Sequence, residues 1–202
     1  MPLLPPLEKL FGWGLKRGSV VAVDGESARY SLAAALLAGV SGAGGWCAVV
    51  GVPSFGCLAA AELGVRLETL ALVPNPGDAW AEVVSALLPG MDAVLVHSPA
   101  RVPGRLARRL AAKARQSRCT VLTLGPAWEG SDLRVSAVRQ EWSGLGQGSG
   151  RLRNCRVTVV ASNRPRAELD LWLPAADGGI RTVDVRTVPS VLPMVGKRAR
   201  AG

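Results

Sequence analysis

The chain has 202 residues, of which 49% are hydrophobic and 19% are charged, so it is long enough to bury a core and is not a disordered chain. Its net charge of +9 is uneven: residues 1–100 hold 5 Lys/Arg against 8 Asp/Glu, and residues 101–202 hold 19 against 7. A basic C-terminal half indicates an acidic partner, most commonly nucleic acid, unless its arginines are only solvated surface charges.

Three further features limit the classes of protein. The four cysteines and the single histidine show no zinc-binding spacing, which predicts no metal site and reduced, buried thiols in a cytoplasmic protein. The start of the chain (MPLLPP) has no basic residue and is broken by prolines, so we predict no secretion signal. Residues 31–61 carry no charge, but their glycines divide them into helix, buried strand and helix, which argues against a membrane span.

The first elements form a strand, a polar turn and a helix. Residues 1–17 are predicted to be a lead-in that packs Leu10, Phe11 and Trp13 on the first strand. The apolar run at residues 19–23 predicts that strand, and the alanine- and leucine-rich run at 27–40 predicts the helix. This order begins a P-loop unit, in which the turn and the helix N-terminus bind phosphate.

The same alternation continues along the chain. Apolar runs at 46–50, 70–73, 91–97 and 119–124 predict buried parallel strands, and helices are predicted at 54–63, 76–88 and 103–116. After Trp128 the apolar residues recur with a period of two, which predicts antiparallel strands that continue the sheet at one edge. We therefore predict a single α/β domain at 18–186 and a C-terminal tail at 187–202.

The turn after the first strand departs from the phosphate-binding pattern G-x-x-x-x-G-K-[ST]. Gly25 and Ser31 can serve as its first glycine and its hydroxyl, but the spacing is one residue short, and Arg29 and Tyr30 replace the second glycine and the lysine. The degenerate loop consists of Gly25, Glu26, Ser27, Arg29, Tyr30 and Ser31. We expect Asp24 and Glu26 to cap the following helix.

Several short sequence motifs resemble motifs of the RecA family of recombinases. They are GLKRGSVV at 14–21, ELGV at 62–65, MDAVLVHS at 91–98 and DLRV at 132–135. Within that family, WCAVVG at 46–51 and WSGLG at 142–146 resemble the actinobacterial ImuA-type accessory protein of the inducible mutasome. The resemblance implies a truncated RecA-like P-loop fold, with a parallel central sheet, helices on both faces and an extension of antiparallel strands toward the C-terminus.

The resemblance also indicates which chemistry is missing. A RecA-type ATPase needs a loop lysine, a metal-orienting aspartate and a water-activating glutamate. Tyr30 stands at the lysine position, His97 at the aspartate position, and the glutamate position falls near Pro53. We therefore expect no ATP hydrolysis, no bound cofactor and no metal, although Arg29 leaves a residual nucleotide-binding switch open as an alternative.

A basic single-stranded-DNA-binding module is a second alternative. The recombinases carry DNA-binding loops after the fourth and fifth strands, and the corresponding links at 99–104 and 125–131 are short here. The remaining candidates for contacts with nucleic acid are Arg105, Arg108, Arg109, Lys113, Arg151 and Arg153. Aromatic residues are scarce, so we expect such contacts to be with phosphate and to weaken with salt.

The leading interpretation is a non-catalytic adaptor in DNA-damage-induced translesion synthesis and mutagenesis. The resemblance implies that it binds an inactive Y-family-like polymerase homologue of the ImuB type and, through it, an error-prone DnaE-type polymerase and the sliding clamp. It also implies a cytoplasmic protein, nucleoid-associated when DNA is damaged. The candidate partner-binding residues are the apolar residues of the tail, namely Val188, Val191, Leu192, Met194 and Val195.

Overall fold

The structure is a computed structural model that describes residues 1–11, 14–26, 28–98, 101–125, 128–145, 150–162 and 167–183. Its helices are α1 (Pro5–Phe11), α2 (Arg29–Gly42), α3 (Cys57–Glu62), α4 (Trp80–Leu87) and α5 (Gly104–Ser117). Its strands are β1 (Val20–Asp24), β2 (Cys47–Val50), β3 (Leu70–Val73), β4 (Ala93–His97), β5 (Thr120–Leu124), β6 (Leu133–Leu145), β7 (Gly150–Ala161), β8 (Ala167–Trp172) and β9 (Arg181–Thr182).

All nine strands form one sheet in the order β3-β2-β4-β5-β1-β6-β7-β8-β9. Strands β1 to β5 are parallel, and the four at the centre are apolar because both of their faces are covered. One face packs on α1, α2 and α3 through a core that includes Val21, Val23 and Val49. The opposite face, which includes Val20 and Val94, packs on α4 and α5. The predicted α/β fold is confirmed.

Two predictions about packing need correction. Strand β6 was expected to be antiparallel, but it pairs in parallel with β1 from Val21↔Leu133 to Asp24↔Ser136, and only its pairing with β7 is antiparallel. Helix α1 packs mainly on β7 and β8 rather than on β1, and Trp13 lies outside the described residues. Alternation predicts which face a side chain occupies, but it does not encode the direction of the neighbouring strand.

The uncharged stretch 31–61 is divided among α2, β2 and α3. Among the described residues, no helix combines the length and the apolar character that crossing a bilayer requires.

Candidate functional site

The turn between β1 and α2 lies at the carboxyl ends of the parallel strands, where open α/β sheets bind ligands. Here the turn lies tightly against β6. Gly25 has φ +130°, and a Cβ at this position would lie 2.7 Å from the carbonyl oxygen of Ala137. The guanidinium of Arg134 on β6 is 3.2 Å from the carboxylate of Asp24. Both contacts tie the end of β1 to β6.

Helix α2 begins at Arg29, after Ala28 as its N-cap residue, and no side chain caps it. The expectation that Asp24 and Glu26 cap this helix is therefore wrong, because the carboxylate of Asp24 pairs with Arg134 instead. The guanidinium of Arg29 lies 5.1 Å from the ring centroid of Tyr30, a cation–π distance, and its Nε is buried without a hydrogen-bond partner.

Tyr30 is exposed and Ser31 is half-buried on the first turn of α2, whereas Ser27 lies outside the described residues. The position where a phosphate-binding lysine would stand therefore carries a phenol, with the neighbouring arginine stacked on it. A phenol has no positive charge to offset a triphosphate at neutral pH.

His97 is the last residue of β4 and pairs with Leu124 of β5. Gly51 (φ +75°) follows β2 and passes so close to β4 that a Cβ there would lie 2.4 Å from the carbonyl oxygen of His97. A Cβ on Gly125 would lie 3.5 Å from Nε2 of the His97 ring. The histidine is therefore held between the ends of β2 and β5, at the position where the resemblance expects a magnesium-orienting carboxylate.

The residues at this edge do not match the chemistry of a magnesium–nucleotide complex. Mg²⁺ prefers carboxylate oxygens, but β4 ends in an imidazole, and the segment after β2 places Pro53 and Ser54 where a glutamate is expected. The described residues contain no cluster of three or more His, Cys, Asp or Glu side chains that could hold a metal ion.

The cations predicted on α5 are used in different ways. The Nζ of Lys113 donates a hydrogen bond of 2.9 Å to the hydroxyl of Ser85 on α4, so this lysine joins two helices. Arg108 lies 3.5 Å from Glu129 in an exposed ion pair. Arg105 and Arg109 are exposed and make no ion pair with any residue that the structure describes.

Arg151 and Arg153 lie on β7, far along the sheet from α5. Arg153 lies on the same face as Cys155 and Val157, which belong to the core beneath α1 and α2, since a Cβ on Gly144 would lie 2.9 Å from its Cγ. Helix α5 packs on the opposite face. The structure therefore does not bring the six predicted cations together into one basic patch.

The outer half of the β6–β7 hairpin is a distinct surface that was not predicted from the sequence. It carries four of the large exposed apolar side chains of the described residues, namely Val138, Trp142, Leu145 and Leu152. The two strands have 13 and 12 residues and extend beyond the points where their neighbours β1 and β8 stop pairing with them, which no sequence pattern indicates. The candidate residues of the tail, from Val188 to Val195, lie outside the described residues.

The thiols are structural. Cys47, Cys119 and Cys155 are buried, as predicted, whereas Cys57 is half-buried. Burial, with a smaller contribution from the charge of Asp92, raises the pKa of Cys47 and of Cys119 to about 12. Thiols with so high a pKa are almost entirely neutral at physiological pH and are poor nucleophiles.

A cavity of about 280 Å³ lies at the other end of the sheet, between β7 and β9. It is lined by Asn154, Trp172, Ala175, Ala176, Asp177, Arg181 and Thr182. Two strands, β6 and β7, separate this region from β1, so the cavity is not part of the β1–α2 turn.

The architecture is a RecA-like fold. The crystal structure of the RadB recombinase superimposes with a TM-score of 0.66 at 16% sequence identity, and the match covers 89% of this chain and 97% of RadB. At that identity the likeness is one of fold.

The chain belongs to the MT3502 N-terminal domain family, whose model matches residues 9–130. The uncharacterized protein Rv3395c of Mycobacterium tuberculosis is 42% identical to it over 108 residues. That match covers 53% of this chain and 53% of the relative, so the chain spans about half the length of the curated relative.

Proposed function

We propose that this chain is a non-catalytic RecA-like accessory protein, which acts in DNA-damage-induced translesion synthesis by binding other proteins. The observation that carries the proposal is the conformation of the β1–α2 turn, which we call closed because it lies directly against β6. In this turn Gly25 contacts Ala137 of β6, and Tyr30 follows where a phosphate-binding lysine would stand. A RecA-like scaffold with this turn keeps its architecture but no longer binds phosphate through the turn.

The proposal explains three substitutions together. Tyr30, His97 and Pro53 stand at the positions of the lysine, the aspartate and the glutamate. Each missing electrostatic group costs on the order of 10²–10³ in rate, so the loss of all three leaves no useful hydrolysis. A residual nucleotide-binding switch is less well supported, because the guanidinium of Arg29 stacks on Tyr30.

The resemblance to ImuA-type proteins supports the choice of partner. It is an inactive Y-family-like polymerase homologue, which in turn contacts the sliding clamp and an error-prone DnaE-type polymerase. In this proposal the chain acts in the cytoplasm and joins DNA through these partners. The proposed contact of the tail, residues 187–202, is made by its large apolar side chains, namely Val188, Val191, Leu192, Met194 and Val195.

The test is direct binding between two purified proteins, the full chain and the Y-family-like polymerase homologue, measured by biolayer interferometry. We expect a dissociation constant of about 1 μM or below, the range of specific protein complexes. Deletion of residues 187–202 should weaken the complex if the tail contributes. The absence of binding by the full chain would overturn the proposed function, whereas undiminished binding after the deletion would overturn only the role of the tail.

A further inference from the structure

The outward side of helix α5 is strongly basic. Residues 101–118 carry seven Lys/Arg and no Asp/Glu. The helix packs on the sheet through four apolar residues, namely Ala107, Leu110, Ala111 and Ala114. The period of 3.6 residues turns Arg105 and Arg109 directly away from these four, and it places Arg108 and Arg115 on one flank. All four arginines are exposed, so the side of α5 that faces solvent is a row of guanidinium groups.

Little of this charge is neutralised within the molecule. Two of the arginines have an acidic neighbour, at 3.5 Å in the pair Arg108–Glu129 and at 4.0 Å in the pair Arg115–Asp132. Both pairs are largely exposed, and solvent screens ion pairs of this kind. The remaining arginines of the segment form no ion pair within the described part of the chain, namely Arg101, Arg105, Arg109 and Arg118.

The loop before β1 extends the basic surface of α5. A Cβ on Gly18 would lie 2.8 Å from the Cα of Arg115, so this loop contacts the C-terminal half of the helix. The loop carries Lys16 and Arg17, which are both exposed. Arg17 pairs with Asp92, whereas Lys16 has no ion-pair partner among the residues that the structure describes. The fold therefore adds a cation from the N-terminal part of the chain to the arginines of α5.

The exposed residues of α5 offer nothing apolar to a partner. Apart from the arginines they are Ala112 and Gln116. The centre of a protein interface is usually built from aromatic and other large apolar side chains, which this surface does not have. A helix that lies on a membrane inserts an apolar face into the lipid, but α5 already buries its apolar face in the core. An acidic protein and an anionic membrane are therefore both poorly matched.

The surface also has no aromatic platform for unpaired bases. Trp80 and Trp128 belong to the core on this side of the sheet and pack on each other, with ring centroids 6.0 Å apart. Single strands bind largely by stacking their bases on exposed aromatic rings. A duplex stacks its own bases and presents phosphates, about 12 of them along the roughly 21 Å that the 14 residues of α5 span.

We infer that the outward side of α5, extended by Lys16, binds duplex DNA through its phosphates without reading the base sequence. Arg105 and Arg109 make the central contacts, because their guanidinium groups are unpaired and can each donate two hydrogen bonds to a phosphate. The inference goes beyond the proposed function, in which the chain reaches DNA through its partners, and it does not depend on the polymerase homologue.

The test is the fluorescence anisotropy of a labelled duplex of about 30 base pairs, titrated with the purified full chain at several salt concentrations. We expect a dissociation constant of about 10⁻⁶–10⁻⁴ M at physiological salt, the range of sequence-independent binding, and a steep loss of affinity as salt is added. The double change Arg105→Gln and Arg109→Gln should weaken binding by about tenfold or more. It should also reduce the slope of log K against log salt by about 2, one for each lost phosphate contact.

The chain offers a matched control on β7. The double change Arg151→Gln and Arg153→Gln removes the same charge far along the sheet from α5, and it should change binding by less than about twofold because salt screens distant charges. Circular dichroism verifies that both variants are folded. A labelled dT30 oligonucleotide is the control for single strands and should bind more weakly than the duplex.

Each outcome decides. Loss of duplex binding in the α5 variant alone supports the inference. No binding by the unaltered chain at about 50 mM salt, or full binding by the folded α5 variant, overturns it. Equal losses in the two variants would assign the binding to net charge, and tighter binding of dT30 would assign the surface to single strands, so either result contradicts the inference. Binding to the polymerase homologue is measured separately, and its absence would overturn the proposed function alone.

Discussion

At the scale of single residues, Gly25 shows how the β1–α2 turn is closed. Its φ of +130° is accessible to glycine, and the carbonyl oxygen of Ala137 occupies the space that a side chain would need.

We therefore predict that Gly25→Ala destabilises the fold by about 1–3 kcal/mol, the range for a residue forced into a disfavoured backbone conformation. Urea unfolding monitored by circular dichroism measures the change. Gly42→Ala at the end of α2, where nothing lies within 4 Å, is the matched control and should shift the unfolding free energy by less than about 0.5 kcal/mol. Equal effects of the two substitutions would contradict the close contact with Ala137.

At the same scale, some properties of the candidate site could be predicted from the sequence and others could not. The substitutions at Tyr30 and His97 were visible in the sequence, because the identity of the residue alone decides whether it carries a positive charge or a carboxylate. The pairing of Asp24 with Arg134 and the hydrogen bond from Lys113 to Ser85 join residues that are far apart in the chain. Only the sheet order and the helix packing bring them together, so the sequence could not reveal that Asp24 pairs with Arg134 instead of capping α2, or that Lys113 joins two helices.

At the scale of elements, the central strands were the easiest to predict. β2, β4 and β5 are continuous apolar runs because both of their faces are covered, and a run of this kind has few other interpretations. β6 was harder, since its alternating pattern is the same for a parallel and an antiparallel neighbour. The outer end of the β6–β7 hairpin was harder still, because no pattern in the sequence indicates where the adjacent strands β1 and β8 stop pairing.

The pairing of β7 with β8 is supported by a polar cluster on one face. Thr158 donates a hydrogen bond of 2.6 Å to the carboxylate of Asp170, and the guanidinium of Arg156 pairs with the same carboxylate. Burial alone would raise the pKa of Asp170, but the hydrogen bonds from Thr158 and Arg156 outweigh it and lower the pKa. The cluster therefore stabilises the fold above the pKa of the unfolded residue, about 3.9, and this stabilisation is lost as the pH falls through the lowered value.

We predict that Asp170→Asn lowers the unfolding free energy at pH 7 by about 1 kcal/mol, a value reduced from that of a buried pair because the cluster is partly exposed. The difference between the variant and the unaltered chain should shrink as the pH is lowered to about 2.5, because Asp170 loses its charge as the pH falls through its lowered pKa. Asp177→Asn, in the exposed pair with Arg181, is the control and should have an effect below about 0.5 kcal/mol. Urea unfolding at the two pH values decides, and a difference that persists unchanged at low pH would contradict the role of the charge.

At the scale of the whole molecule, the positive charge is distributed differently from what the composition indicated. The basic C-terminal half indicated an acidic partner such as nucleic acid, but α5 and Arg153, which carry part of that charge, lie on opposite faces of the sheet. Part of the charge is also neutralised within the molecule, as in the pairs of Arg134 with Asp24 and of Arg156 with Asp170.

The central claim is that a RecA-like scaffold binds its partner without using ATP. The most direct test is to measure the dissociation constant of the complex with the Y-family-like polymerase homologue in the presence and in the absence of magnesium–ATP. The nucleotide is added at a concentration that saturates ordinary RecA-like ATPases. The closed turn and the residues Tyr30 and His97 predict the same constant within about twofold in both conditions, since a ligand that does not bind cannot shift an equilibrium. A complex that forms only with magnesium–ATP, or that tightens tenfold in its presence, would contradict the account.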